Sequence, residues 1–104
     1  MNTKNTMTRE DYENIIEFAL EIAQTECLTW KRLDYCSAWV AVCDNYIFLK
    51  SYNTIVAFYN KNTGFLFDFL RVVYGYTSTS AHHISKFRNM LDVKKTIRID
   101  TIVE

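Results

Sequence analysis

His82 and His83 are the chain's two histidines, and they are adjacent. A helical metal site uses two ligands on one face, at i and i+4, with a third from elsewhere. Neighbouring helical residues point about 100° apart, so this pair has the wrong spacing to share an ion. With Ile84 facing inward, His82 is expected on the surface and His83 at the boundary, and no metal ligand is assigned. The three cysteines, Cys27, Cys36 and Cys43, are odd in number and contain no C-x-x-C. The pattern points to reduced thiols in a cytosol. A nucleophilic cysteine needs a base and an electropositive setting. Cys43 alternates within a strand pattern and is expected in the core. Cys27 ends an acidic helix, which disfavours a thiolate. Cys36 follows Lys31 and Arg32 and is the best placed, but no spacing marks a partner base. Neither G-x-x-x-x-G-K-[ST] nor G-x-G-x-x-G occurs, and two glycines cannot build either phosphate loop. The sequence therefore implies no catalytic residue, no cofactor and no enzyme.

What remains is surface chemistry. Glu13, Glu17 and Glu21 form an i, i+4 ridge. A solvated helix face accounts for them, and so does an acidic surface that imitates nucleic-acid phosphate or docks on a basic partner. The opposite charge gathers near the C-terminus. From Ala81 to Arg98 five basic residues face one acid, Asp92. His82, Lys86 and Asn89 are spaced to lie on one exposed stripe, and Lys94, Lys95 and Arg98 follow. Thr77, Ser78, Thr79 and Ser80 precede a helix, where hydroxyls and free amides bind phosphate. Tyr74 and Tyr76 beside them can stack on bases. An ordinary capped helix with a charged face explains the same residues.

The elements that must position these groups follow from hydrophobic period. Thr8 with Asp11 approximates a capping box. Tyr12, Ile15, Ile16, Ala19, Ile22 and Ala23 recur at helical spacing, so a helix is expected from Arg9 to about Cys27. After a connector, Leu28 to Ser37, the period changes. Ala38–Cys43, Tyr46–Lys50, Ile55–Tyr59 and Phe65–Leu70 read as strands, although Phe67 to Arg71 also suits a helix. Asp44-Asn45 and Asn60-Lys61-Asn62-Thr63-Gly64 supply turns. A second helix is expected from about Ala81 to Leu91, and a last strand in Val93–Val103. The expected fold is α+β: a four- to five-stranded, mainly antiparallel sheet, a long N-terminal helix on one face, and a short helix before the last strand.

Bulk properties set the remaining bounds. The 104 residues suit one domain, with Met1 to Met7 expected to be flexible. Hydrophobic residues make up 49%, enough for one core. The net charge of zero argues against a strongly basic nucleic-acid binder. It conceals a dipole. Residues 1 to 36 hold four Lys/Arg against seven Asp/Glu, a net −3, and the rest hold eight against five, a net +3. No apolar run is long enough to span a bilayer, and no leader pattern follows Met1. Ten aromatic residues crowd between Tyr46 and Tyr76, more than one core is expected to bury. Tyr46, Tyr52, Tyr59 and Tyr76 are therefore candidate partner contacts, either for a foreign protein or for a second copy in a two-fold homodimer. In the homodimer, at least two of Tyr46, Phe48, Tyr52, Tyr59 and Tyr76 become buried.

Ser51-Tyr52-Asn53-Thr54 before a hairpin, and Tyr74-Gly75-Tyr76-Thr77 running into Ser80-Ala81-His82-His83-Ile84-Ser85-Lys86-Phe87, resemble small proteins of Gram-positive phages and mobile elements. The resemblance spans Ser51 to Phe87 and brings no active site with it. It implies a protein working inside a host cell by stoichiometric binding. As a class, anti-CRISPR proteins look similar: short, partly acidic and without a catalytic motif. The expected function is therefore inhibition of a host CRISPR-Cas nuclease through Glu13, Glu17, Glu21 and exposed tyrosines. The alternative is a small nucleic-acid-binding or regulatory protein that uses Thr77, Ser80, His82, Lys86, Lys94, Lys95 and Arg98.

Overall fold

The computed structural model describes residues 7–33, 37–73 and 78–99. Helix α1 (Arg9–Thr25) leads into strands β1 (Lys31–Arg32), β2 (Ala38–Val42), β3 (Tyr46–Ser51), β4 (Thr54–Asn60) and β5 (Phe65–Asp68). Two helices, α2 (Leu70–Val73) and α3 (Ser78–Asn89), then precede β6 (Lys95–Arg98). The fold class is the expected α+β. The sheet has six strands in the order β1-β2-β3-β4-β5-β6, one more than the upper expectation. The addition is the two-residue β1 inside what reads as a connector, too short to carry a period.

Thr8 starts α1 as its residue type predicts: its hydroxyl accepts from the Asp11 amide at 3.1 Å and the Asp11 carboxylate accepts from the Thr8 amide at 3.4 Å. β1 to β5 form an antiparallel meander. β6 instead pairs parallel to β5, with Phe67 opposite Ile97 and Asp68 opposite Arg98. A parallel neighbour requires a crossover, and α2 with α3 provides it. The strand expected over Phe65–Leu70 stops at Asp68, whose carboxylate accepts from the Leu70 amide at 3.2 Å and starts α2. α3 begins at Ser78, three residues before the sequence suggested. Of the expected strand Val93–Val103, β6 occupies four residues, and residues 100–104 lie outside those described.

A helix covers each face of the sheet, which corrects the one-faced arrangement expected from sequence. Against α1 pack Phe48, Phe58, Phe67, Phe69 and Ile97, meeting Tyr12, Ile16 and Ala19. Against α3 pack Ala38, Val40, Leu49, Val56, Ala57 and Leu66, meeting Ile84 and Phe87. Strand alternation sends Phe48 to one cluster and Leu49 to the other. In β4 the register skips Val56, since Leu49 pairs with Ala57 and Lys50 with Ile55. This bulge lets Val56 and Ala57 serve the same core.

One hairpin loop also seats the return strand. Gly64 has φ +78, a left-handed conformation that glycine adopts freely. Its carbonyl accepts from the Lys94 amide at 2.8 Å. A Cβ there would meet Lys94 Cγ at 2.9 Å, so the Lys94 stem fills the space that glycine leaves.

Candidate functional site

The acidic ridge lies where helical spacing puts it. Glu13, Glu17 and Glu21 are all exposed on α1, away from the buried Tyr12, Ile16 and Ala19. Glu13 meets Arg9 at 3.4 Å across one exposed turn, a contact of little energetic weight. On the same helix Phe18 is 58% exposed. Its i−4 and i+3 neighbours, Asn14 and Glu21, are exposed as well. Sequence reasoning passed over Phe18. The signal was partial: Phe18 and Leu20 are the two large apolar residues of α1 outside the stripe read from sequence, and Leu20 packs against the core.

Among the described residues, the candidate tyrosines do not form one patch. Tyr46 packs into the α1-side cluster, edge-on to Phe58 with ring centroids 5.3 Å apart. Tyr59 packs into the α3-side cluster and donates its hydroxyl to the Asp92 carbonyl at 3.0 Å. The two thus serve opposite faces, and both are half-buried. Phe48, offered as a dimer contact, is fully buried within the chain, as are Phe58 and Phe69. Of the ten rings, Phe48, Phe58, Phe67 and Phe69 are buried against α1, while Tyr46, Tyr59 and Phe65 stay half-buried. Tyr52 is 41% exposed. Tyr76, with Tyr74 and Thr77, lies outside the described residues, as does Cys36. Cys27 is exposed and Cys43 half-buried, both unbridged.

The motif Ser51-Tyr52-Asn53-Thr54 and the start of α3 meet in three dimensions. Ser51 Oγ lies 2.8 Å from His83 Nδ1 and 2.9 Å from Ser80 Oγ. Ser51 and Ser80 are 0% exposed and His83 2%. One chain of hydroxyl protons, running toward or away from the imidazole, satisfies both bonds. Tyr52 turns the chain with φ 56, a region bulky side chains rarely enter. Its amide donates to the Ser37 carbonyl at 2.8 Å, and its ring lies against His83, centroids 5.8 Å apart. Burial, with the charges of His82 and Lys86 adding to it, lowers the His83 pKa below 6.5 and keeps the ring neutral. A serine beside an imidazole has the components of a nucleophile and its base. Here both are closed off from solvent, and the contact ties α3 to the β3–β4 turn. His83, expected at the boundary, is core. Ser80, expected to cradle phosphate, faces inward.

The other basic candidates are spread out. His82 is exposed and Lys86 half-buried on α3, while Lys94 and Lys95 are exposed at the entry to β6. Arg98 sits apart from them, its Nε donating to Asp68 Oδ2 at 3.2 Å. That pair lines a cleft of about 290 Å³ that also takes in Arg71, Ser85 and Arg88. Among the described residues no three His, Cys, Asp or Glu come together to hold a metal. No described helix is long and apolar enough to cross a membrane.

No curated protein and no solved structure matches the chain. A family model does match, over residues 3–104, and its description is that of a family of unknown function. Since the match covers nearly the whole chain, α1 and the terminal strand included, the protein belongs to the family of unknown function DUF8033.

Proposed function

We infer that this protein acts by stoichiometric binding rather than catalysis, with the outer face of α1 as its contact surface. The partner class is a basic, nucleic-acid-handling host protein, in its most specific form a CRISPR-Cas nuclease held in an inhibited state. The observation that carries this reading is Phe18, 58% exposed beside Glu21 on the helix that bears Glu13 and Glu17. An exposed aromatic is the usual anchor of a protein interface, and the surrounding carboxylates complement a surface built to hold phosphate. The resemblance of Ser51 to Phe87 to phage and mobile-element proteins supplies the host setting. Tyr52 remains a candidate contact; Tyr46 and Tyr59 are committed mainly to their own cores.

A titration of purified protein against the nuclease tests this. Inhibition should saturate near equimolar protein. It should be lost on Glu17→Lys with Glu21→Lys, and Phe18→Ala should weaken binding by about 2 kcal/mol. Inhibition that survives those changes would sink the reading.

The second reading, nucleic-acid binding by the basic half, draws on exposed His82, Lys94 and Lys95. It loses Ser80, which is buried against Ser51. It requires binding that falls steeply with salt and collapses on Lys86→Glu with Lys95→Glu.

A further inference from the structure

We propose that this protein self-associates head to tail, with Phe18 of one copy seated in an apolar groove of the next. The groove lies at the β1–β2 edge, on the α3 side of the sheet. Leu33, Val40, Val42 and Met90 line it together with the exposed Lys31, and its volume is about 420 Å³. The fold leaves this corner uncovered. Val40 and Val42 alternate onto the same face, but β1 pairs with β2 only at Val40 and Trp39, and α3 ends at Asn89. Val40 is therefore buried while Val42 is 60% exposed, and Met90, just past the helix, is 52% exposed.

The occupant is argued from the opposite surface. Phe18 is exposed on α1, and Glu21, also exposed, lies one turn further along the same face. An apolar cavity of about 150 Å³ holds a benzene ring, so the groove admits the Phe18 ring with part of its helical turn. Glu21 complements Lys31 in charge. One chain thus carries both halves of a contact: an aromatic ring beside a carboxylate, and an apolar groove beside an ammonium. α1 and α3 cover opposite faces of the sheet, so the two halves sit on opposite sides of the molecule. Each copy gives its Phe18 to one neighbour and receives Phe18 from another. Such a heterologous contact builds a ring or an open chain, not a two-fold dimer. The inference rests on the α1 face being a contact surface and adds its regulation: a copy whose Phe18 is seated in a neighbour cannot offer it to a foreign partner.

Sedimentation equilibrium of the purified protein from about 10 μM to about 1 mM tests this, a range suited to a contact with one anchor. The wild-type mass should rise with concentration past that of a dimer. Phe18→Ala and Val42→Asp should each weaken association by about thirtyfold or more. Met90→Lys, outside any strand, should repeat the Val42→Asp result. An equimolar mixture of Phe18→Ala and Val42→Asp should form a dimer and nothing larger, since one copy keeps the groove and the other keeps the ring. Amide spectra of each variant alone check that it folds. Val42→Asp should still inhibit the nuclease as the wild type does, whereas Phe18→Ala should weaken both contacts, so the self-contact and the foreign contact can fail separately. A mass of 12.3 kDa at every concentration overturns the proposal and leaves the groove to a foreign apolar segment. It also fails if association stops at a dimer, if it survives Phe18→Ala, or if the mixed variants stay monomeric.

Discussion

Toward α1 the sheet presents phenyl rings; toward α3 it presents aliphatic side chains and a buried polar knot. On the first side Phe58 stacks on Phe67 with centroids 4.9 Å apart and meets Phe48 and Phe69 at 6.2 and 6.0 Å. Tyr12 completes the cluster, and its hydroxyl leaves the apolar layer to donate to the Asp68 carbonyl at 2.8 Å. On the second side Leu49, Leu66, Ile84 and Phe87 pack beside Ser51, Ser80 and His83. The two faces divide the work of folding. Ring packing is large in energy and weak in direction. The knot is small in net energy and strict in geometry, because any sliding of α3 leaves buried hydroxyls and an imidazole unpaired. The aromatic face therefore holds the domain together, and the polar face sets where α3 sits. Since α3 carries Ser85 and Arg88, the knot also fixes the wall of the arginine cleft.

The sharpest way to break this contrast is on the aromatic face. Phe58→Ala should cost about 3–5 kcal/mol, read by urea denaturation, because Phe58 touches four other rings. A loss under about 1 kcal/mol would mean that the stack contributes little. On the other face His83→Ala should cost about 2–3 kcal/mol, through a cavity and the loss of the imidazole's bond to the buried Ser51 hydroxyl. The triple change Ser51→Ala, Ser80→Ala and His83→Leu should cost less than that single one, since the Ser51–His83 and Ser51–Ser80 bonds are each removed with both of their ends. If the triple variant were the less stable, the knot would be a net source of stability rather than of register.

The smallest effect is a pH dependence confined to the α3 face. A base whose pKa is lowered by folding binds its proton more readily when unfolded. Its stabilising contribution is complete above the ordinary 6.5 and declines as pH falls from there toward the lowered native value. The stability gap between the wild type and His83→Gln should therefore narrow below pH 6.5. Melting temperatures of both proteins across that range check it. A constant gap would place a charged imidazole in the knot.

Much of this molecule was open to sequence reasoning because it is local. The cap of Thr8 and Asp11, the stripe of α1 and the Asn60–Gly64 loop each depend on residues within a few positions of one another, where side-chain type and period decide the outcome. The acidic ridge was legible for the same reason. The β4 bulge was not, since Val56 leaves a register only a partner strand defines. Nor was the parallel return of β6: residues alternating in and out look alike in either strand direction. Ser51, Ser80 and His83 each have a sound local role in a turn, a cap or a helix face, and only the crossover brings them together.

By itself the sequence determined the α+β class, the order of the main elements and the charge carried by each end of the chain. These follow from short-range periodicity, and periodicity survives without knowing what packs on what. Tertiary structure decided that both faces of the sheet are covered, that Ser80 and His83 face inward, that Phe18 faces outward, and that Arg71, Arg88 and Arg98 share one cleft. Those outcomes depend on contacts between residues as far apart as Ser51 and His83, 32 positions, and Tyr12 and Asp68, 56 positions. Their closure is set by the sheet as a whole, and no window of the chain contains it.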